Sequence, residues 1–527
     1  MEVLSSTVSA ILPTGDTVVT VVSELGSFQS RFLWFVILGF LLAFLLGAGM
    51  GANDVSNAFG TSVGSKVLTI KKAYILATIM ETFGTVLLGF NVADTMRKGV
   101  VDVNLYEDDP GALMLGQVAI LAAGTTWLAI ATFLKLPVST THSVVGATIG
   151  FSILFKGFDG IQWTKVIEIV ISWVISPLFS GLVAVTMYIL LDFACLRRSD
   201  PLKYGYILLP FFFFFVFFAN SFMILLSGSK LFNLPSLSVQ MALLGSVVVG
   251  LLAAFCVQFF LKPWLRNWVE KKGDSKNSSN LNNISVVFEN DGIQMENLES
   301  ENSKNNSEAN IVSREENPRL QKFECSWKGF WRWVIPDPNR VEDQKTLRMF
   351  GSLQVFTACF AGFAHGANDT FPRPSISLLF QFQETFSNAI APITALISIY
   401  QDSNVHQTTP TPVYILLFGT FSVCIGLWLF GHRVIKTIGD DVTEVNQANG
   451  FIVEFGAAST AMVASKLGLP ISTTHAVVGA VVGVGLVKPG SGVNWKVFWK
   501  IASSWVITLP ISGLLSAGFM MLLKLAL

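Results

Sequence analysis

Charge is what this sequence has least of. Only 13% of its 527 residues are Asp, Glu, Lys or Arg, against about a quarter in ordinary soluble domains. Acids and bases cancel at 35 each, so no basic excess points to a nucleic-acid partner. The five cysteines (Cys195, Cys256, Cys325, Cys359 and Cys424) are scattered without a CxxC pair, which excludes a disulfide framework and a zinc site. No Lys or Arg precedes Arg31, so the basic start of a secretory signal is missing, and residues 1–30 are expected to form a short exposed tail. There is no P-loop, no HExxH and no nucleophile-plus-base constellation. The chain is therefore not expected to be an enzyme.

What fills the space is apolar. Hydrophobic residues make up 52%, and Phe alone occurs 44 times. Runs such as "FLWFVILGFLLAFLLGAGM" from Phe32, "ILLPFFFFFVFFANSFMILL" from Ile207 and "MALLGSVVVGLLAAFCVQFFL" from Met241 are each about 20 residues, the length that crosses a bilayer core as a helix. Further candidate spans lie near 74–90, 114–134, 164–192, 348–364, 412–431, 450–466 and 497–525. The fold class that follows is an all-α polytopic membrane protein with about 10–12 transmembrane helices.

One stretch, 263–345, turns polar, with Asn, Ser and Glu dominating. It is expected to be a mostly disordered loop. It divides the chain into a membrane half at 31–262 and another at 346–527. The basic segments "LRRSDPLK", "KPWLRNWVEKK" and "RVEDQKTLRMF" lie where they can share one side. The rule that Lys and Arg favour the inside then puts the loop in the cytoplasm and the N-terminus outside.

The two halves repeat each other. "LPVSTTHSVVGATIG" returns as "LPISTTHAVVGAVVG", with Pro137 and Pro470, and His142 and His475, separated by the same 333 residues. "GANDVSNAFGTSVGSK" from Gly51 returns as "HGANDT" from His365, then, after a gap, "SNAIAPITAL". Internal duplication around a polar site marks many secondary transporters. The second copy is interrupted: the interval is 315 residues at Gly366 but 331 at Ser387, so 16 extra residues, roughly 371–386, split the motif. This segment is expected to be a splice or gene-model insertion rather than a working element.

The first motif offers Asn53, Asp54, Ser56 and Asn57. Hard oxygens with one carboxylate suit a small hard cation, and an Asp at membrane depth by default marks function. A polar contact between small-residue helices is the simpler alternative. The second motif places Ser139, Thr140 and Thr141, and again Ser472, Thr473 and Thr474, behind a proline at the start of an apolar helix. Ser and Thr are strong N-caps. The first amides of a helix lack partners and carry positive dipole character, which makes them an anion site. Two such tips facing each other could hold a tetrahedral oxyanion without Arg or Lys. Simple capping is the alternative. His142 and His475 can donate to the anion, titrate, or only cap and pack. Glu81 and Glu454 sit in apolar context, where a carboxylate is costly unless paired or bound to a cation. A cation-coupling or electrostatic role is expected for both, with a structural hydrogen bond as the alternative.

These motifs, together with "ETFGTVLLG", "MRKGVVDVNLY", "SWVISPLFSG" and "GLWLFGHRVIKTIG", resemble the inorganic phosphate transporter (PiT) family of sodium- or proton-coupled symporters, and most of all its animal, sodium-dependent branch. The resemblance covers nearly all of both membrane halves. It implies two inverted-topology repeats with re-entrant helical hairpins around a central phosphate site. It implies both termini outside, a cytoplasmic loop, and a multi-pass plasma-membrane location. Carried over, it implies roles for Asn53, Asp54, Glu81, Asn368, Asp369, Glu454 and both Ser-Thr-Thr clusters. Asn53, Asn368 and the two histidines are assigned to phosphate with those clusters. Asp54, Ser56, Asn57, Asp369, Ser387, Asn388, Glu81 and Glu454 are assigned to sodium. The expected activity is sodium-coupled import of inorganic phosphate by alternating access. A phosphate sensor on a transporter scaffold, a proton-coupled carrier and a sulfate carrier remain open. Expected partners are phosphate, sodium and the bilayer, with a homodimer also open and no cofactor beyond the coupling ions. The insertion separates Asp369 from Ser387 and Asn388, and "VNLYEDDPGA" lacks the sequon that animal relatives often carry there.

Overall fold

The computed structural model describes residues 15–88, 103–227, 237–271, 325–367, 386–405, 412–467 and 472–525. Among these, all regular structure is helical. In the first half, α1 (Gly15–Met50) passes through a π-helical turn (Gly51–Val55) directly into α2 (Ser56–Gly64). There follow α3 (Ile70–Leu88), α4 (Pro110–Phe133), α5 (Thr140–Lys156) and α6 (Trp163–Leu191). A hairpin of α7 (Pro201–Ser227) and α8 (Val239–Cys256) comes next, and then a short α9 (Trp327–Val334). The second half has α10 (Gln344–Ala367), α11 (Phe386–Asp402), α12 (Val413–Phe430), α13 (His432–Lys436), α14 (Gln447–Leu467), α15 (Thr473–Val487) and α16 (Trp495–Lys524).

Every apolar run marked as a candidate span is helical where described. By length and hydropathy, seven helices among the described residues suffice to cross a membrane. They are α1 with α2, α4, α6, α7, α8 with its extension to Lys271, α12 and α16. That is fewer than the ten to twelve read from the sequence. α5, α11 and α15 are only 15–17 residues long. α5 and α15 start at polar breaks, and α3 and α10 carry Lys, Arg, Glu and Gln within their length. Large apolar side chains face outward, among them Ile37, Leu178, Leu244 and Leu514. A single-sided exposure of this extent in helices of this length fits lipid, the only solvent that makes it cheap.

Packing is reciprocal between the halves. α5 lies against α16 and α15 against α6; α1 lies against α12 and α10 against α3. Glycines permit the closest approaches. A Cβ at Gly146 or Gly150 of α5 would overlap the backbone oxygen of Leu509 or Gly513. At the repeat-related positions of α15, a Cβ at Gly479 would overlap the Pro177 oxygen, and one at Gly483 would lie 2.7 Å from that of Gly181. In return, a Cβ at Gly181 would lie 3.0 Å from Gly479 O, and one at Gly513 would lie 3.0 Å from Gly146 O. Such small-residue contacts drive helix association where lipid removes the hydrophobic incentive. Gly146→Val and Gly479→Val are therefore expected to be about equally damaging, each by about 1–3 kcal/mol or more, since backbone cannot step aside. Thermal unfolding in detergent checks this; one variant unaffected while the other collapses would deny the pseudo-symmetry.

Two boundaries differ from the sequence reading. α1 begins at Gly15, so half of the supposed tail is helix. The central loop is also ordered at both edges. The α8 helix runs on to Lys271, and α9 with its following strap is held by a buried ionic clasp. Arg197 pairs with Asp192 (2.7 Å from Nε) and donates to the carbonyls of Trp333 (2.6 Å) and Val334 (3.0 Å). Arg340 reaches the other Asp192 oxygen at 2.6 Å and Glu342 at 2.8 Å. Breaking one member of such a buried pair typically costs about 3–5 kcal/mol, so these charges tie the strap firmly to the end of α6.

Candidate ion and anion site

Each Ser-Thr-Thr cluster opens a helix as the N-cap pattern requires. Ser139 is extended at φ −89°, and its Oγ accepts from His142 N; Ser472 is extended at φ −94° and accepts from His475 N. Capping accounts for the two serines. It leaves the threonines of the first turn to do something else.

Those threonines meet the π-helical turn and α2. Thr140 Oγ1 donates to Asp54 Oδ2. Thr474 Oγ1, from the other half, accepts from Asn57 Nδ2 at 2.9 Å. Thr474 Oγ1 also lies 3.4 Å from the Val138 carbonyl, at the approach to α5. One turn further along α2, Thr61 donates to Glu454 Oε1 at 2.6 Å. Asp54 of the π-helical turn, with Asn57 and Thr61 one turn apart on α2, thus touches both halves of the molecule. A small cavity of about 40 Å³ lies there, lined by Asn57, Thr61, Glu454 and the half-buried Thr473 among others. Such a volume holds a bare ion or one to three waters. Asn57 Oδ1 is buried without a protein partner among the described residues, so an acceptor is available beside it.

Glu454 sits in a shell of neutral donors. Its Oε1 accepts from Thr61, from Ser62 (2.7 Å) and from Gln354 Nε2 (3.4 Å), and its Oε2 accepts from Thr357 (2.5 Å). Ser65 in turn donates to Gln354 Oε1 at 2.8 Å, fixing the amide. No cation side chain is in this set. Hydrogen bonds stabilise the charged carboxylate, and the same hydroxyl oxygens could turn their lone pairs to a small hard cation. Thr61, Ser62, Gln354 and Thr357 were not singled out in the sequence. The available signals were the i+4 interval from Asn57 to Thr61 and a Gln–Thr pair one turn apart within an apolar span. The shell occurs once. At the repeat-related positions stand Leu121 for Glu454, Gly39 and Leu42 for Gln354 and Thr357, and Pro392 and Ile393 for Thr61 and Ser62.

Other expected site residues are placed differently. The Asn53 amide is committed at both ends to the connector before α5: Nδ2 donates to Leu136 O at 2.9 Å, and Oδ1 accepts from Val138 N at 3.0 Å. Asn53 thus positions the Ser-Thr-Thr tip rather than pointing into the space before it. Ser56 Oγ lies 2.9 Å from Ala52 O and 3.1 Å from Gly431 O, on backbone carbonyls. His142 and His475 face each other with ring centroids 4.8 Å apart, and they pack on Trp173 (5.1 Å) and Trp505 (3.8 Å). Both are buried. Thr141 is buried in the first turn of α5, and Glu81 is buried in α3. Asn368 and Asp369 lie outside the described residues, as does nearly all of 371–386. Ser387 and Asn388 belong to the first turn of α11, but their side chains are likewise outside the description.

Residues 50–516 match the model of the phosphate transporter family. The chain belongs to that family. Among curated phosphate transporters, the chain is 32% identical to "Sodium-dependent phosphate transporter 2" of Xenopus laevis, with 94% of this chain and 98% of that protein aligned. It is 30% identical to "Sodium-dependent phosphate transporter 1" of Rattus norvegicus, over 93% of this chain and 95% of that one. A solved structure titled "The sodium-dependent phosphate transporter" superposes with a TM-score of 0.69 at 28% identity, covering 94% of this chain and all of that one. Within the family, the pairings of Thr140 with Asp54 and of Thr474 with Asn57 are where the two duplicated motifs of this chain physically meet.

Proposed function

We propose that the chain is a sodium-coupled inorganic phosphate symporter, which imports phosphate across the plasma membrane by alternating access. The observation that carries this reading is the junction of the halves: the π-helical turn holds Thr140 of the first Ser-Thr-Thr helix through Asp54, and α2 directly after it holds Thr474 of the second through Asn57. Phosphate would sit before the two helix tips, on first-turn amides and threonine hydroxyls, which are neutral donors that bind an oxyanion and release it again. Sodium would occupy oxygen sites around Asp54 with Asn57, and around Glu454, with Glu81 as a further buried carboxylate. It offsets the anion's charge and so couples the two fluxes. Asn53 and the N-cap serines act as positioning residues in this reading.

The finer architecture belongs to the same proposal. The reciprocal packing of α5 on α16 and α15 on α6 supports two inverted-topology repeats whose short helices are re-entrant. The domain plan is a membrane half at 31–262, a cytoplasmic segment at 263–345 and a second membrane half at 346–527. Exposed Lys271 and Lys328 at the edges of the central segment favour that side as cytoplasmic, with both termini outside. A homodimer is compatible with this plan. Chemistry on the substrate is not part of it: the chain is a carrier rather than an enzyme.

The test is uptake of labelled phosphate into proteoliposomes under an inward sodium gradient, for the full chain and for one lacking 371–386. Uptake is expected to collapse when potassium replaces sodium, to resist excess sulfate, and to rise on removal of the segment. Uptake driven equally by a proton gradient alone, or inhibited by sulfate, would overturn the assignment.

A further inference from the structure

A second cavity, of about 520 Å³, shares no lining residue with the small one beside Glu454. It is bounded by the end of α6 with the turn after it (Leu190, Ala194), by α7 (Phe211, Phe215) and by α14 (Phe451, Phe455). The size is that of a ligand pocket. Its lining contains no charged or hydrogen-bonding side chain, so it offers nothing to phosphate, sodium or water; an apolar cavity of this kind stays dry or takes an apolar guest.

Where the cavity opens decides the guest. Leu190, Phe211 and Phe215 are 63%, 55% and 40% exposed and belong to helices long and apolar enough to cross a membrane. The mouth therefore opens to hydrocarbon. The α7 lining, Leu208 to Val216, begins seven residues beyond Pro201. At about 1.5 Å per residue that places it about 10–22 Å in from the end of the helix, the depth of an acyl chain within one leaflet of an about 30 Å core. At the head of this path stand exposed Arg198 and Lys203, one turn or so from Ala194 and Leu208. Arg198 lies over the Tyr204 ring at 5.6 Å. Asp200, between them, accepts from Lys203 N at 3.1 Å, as a cap of α7. Two cations at headgroup level above an apolar slot complement a phospholipid with net negative charge.

We propose that this cavity is a binding site for one acyl chain of an anionic phospholipid, its headgroup held by Arg198 and Lys203. The chain would lie against Phe451 and Phe455, which flank Glu454 on α14. It would seat the α7–α8 hairpin on the helix that carries the proposed cation site. This goes beyond the transport reading and does not depend on it.

The experiment uses the full chain in proteoliposomes containing a phosphatidylserine with a photoactivatable group in its acyl chain, followed by peptide mapping. Labelling is expected in 187–194 and, decisively, in 451–455, because Phe451 is only 1% exposed and can be reached only through the cavity. Ala194→Trp, which fills the slot, is expected to cut labelling at 451–455 at least fivefold. Arg198→Glu with Lys203→Glu is expected to abolish the preference for phosphatidylserine over phosphatidylcholine. Labelling confined to outward faces such as that of α8 would overturn the proposal, as would labelling at 451–455 by a sterol probe and not by phospholipid. If Ala194→Trp fails to fold, the wild-type labelling pattern still decides.

Discussion

Asp54→Asn is expected to abolish sodium-driven phosphate uptake while leaving the chain inserted and folded. The substitution keeps size and keeps an acceptor for Thr140 Oγ1, the partner of Asp54 Oδ2, so local packing survives. What goes is the negative charge beside the two helix tips. Those tips carry positive dipole character, and the anion they attract needs a cation close by to enter a membrane-buried site. With the charge removed, sodium loses its strongest local attraction and phosphate loses the sodium. A loss of at least a hundredfold is expected, equivalent to about 2.8 kcal/mol at about 1.4 kcal/mol per decade. Labelled uptake, normalised to surface-biotinylated protein, measures it. Asp54→Asn protein with unchanged sodium-dependent uptake would show that Asp54 only caps and packs.

Glu454→Gln carries the second large effect, and its companion Glu454→Leu separates function from folding. Glutamine keeps an oxygen for Thr61 and Ser62 but brings an NH2 toward Thr357, whose hydroxyl is already the donor at 2.5 Å. The shell can adapt by turning one hydroxyl, so the protein is expected to fold. Sodium dependence is expected to shift to concentrations at least about tenfold higher, since a neutral amide holds a hard cation more weakly than a carboxylate. Leucine instead leaves the donors of Thr61, Ser62 and Gln354 without this acceptor, each at about 1–3 kcal/mol, while the Thr357 hydroxyl keeps the Gln354 carbonyl at 3.0 Å. That variant is expected to be lost to folding. Sodium titration of uptake, with monodispersity in detergent as the folding control, distinguishes the cases. If Glu454→Gln left the sodium titration untouched, Glu454 would be a structural hydrogen-bond hub.

The sequence made the helices legible, because twenty-residue apolar runs have few alternatives in lipid. It made the caps legible as well: Ser139 and Ser472 behind a proline act as N-caps in the structure. Direction was harder. Asn53 and Ser56 belong to the same short motif as Asp54 and Asn57 and carry similar oxygens, yet both turn to backbone carbonyls. Composition names the donor but not where it points. The π-helical turn at Gly51–Val55 shifts which side chains share a face, and no spacing rule for an α-helix anticipates that. The Glu454 shell was hidden for another reason. Its members come from α2, α10 and α14, 97 to 393 residues from Glu454 or within its own helix, and a repeat search cannot reveal a site that the duplication does not repeat. The ordered edges of the central loop were masked by their polar surroundings. "WKGFWRWV" is an amphipathic aromatic helix, and the Asp192–Arg197–Arg340 clasp that holds its strap joins residues of opposite charge on either side of that loop.

The account turns on one geometric claim, that a single anion is held by helix starts from both halves at once. An experimental density map of the protein in sodium phosphate tests it most directly. A tetrahedral density within hydrogen-bond reach of the first-turn amides of both Thr140–Thr141 and Thr473–Thr474 is the expected result. Density against one cluster alone, or bound elsewhere with both clusters turned to lipid, would contradict it.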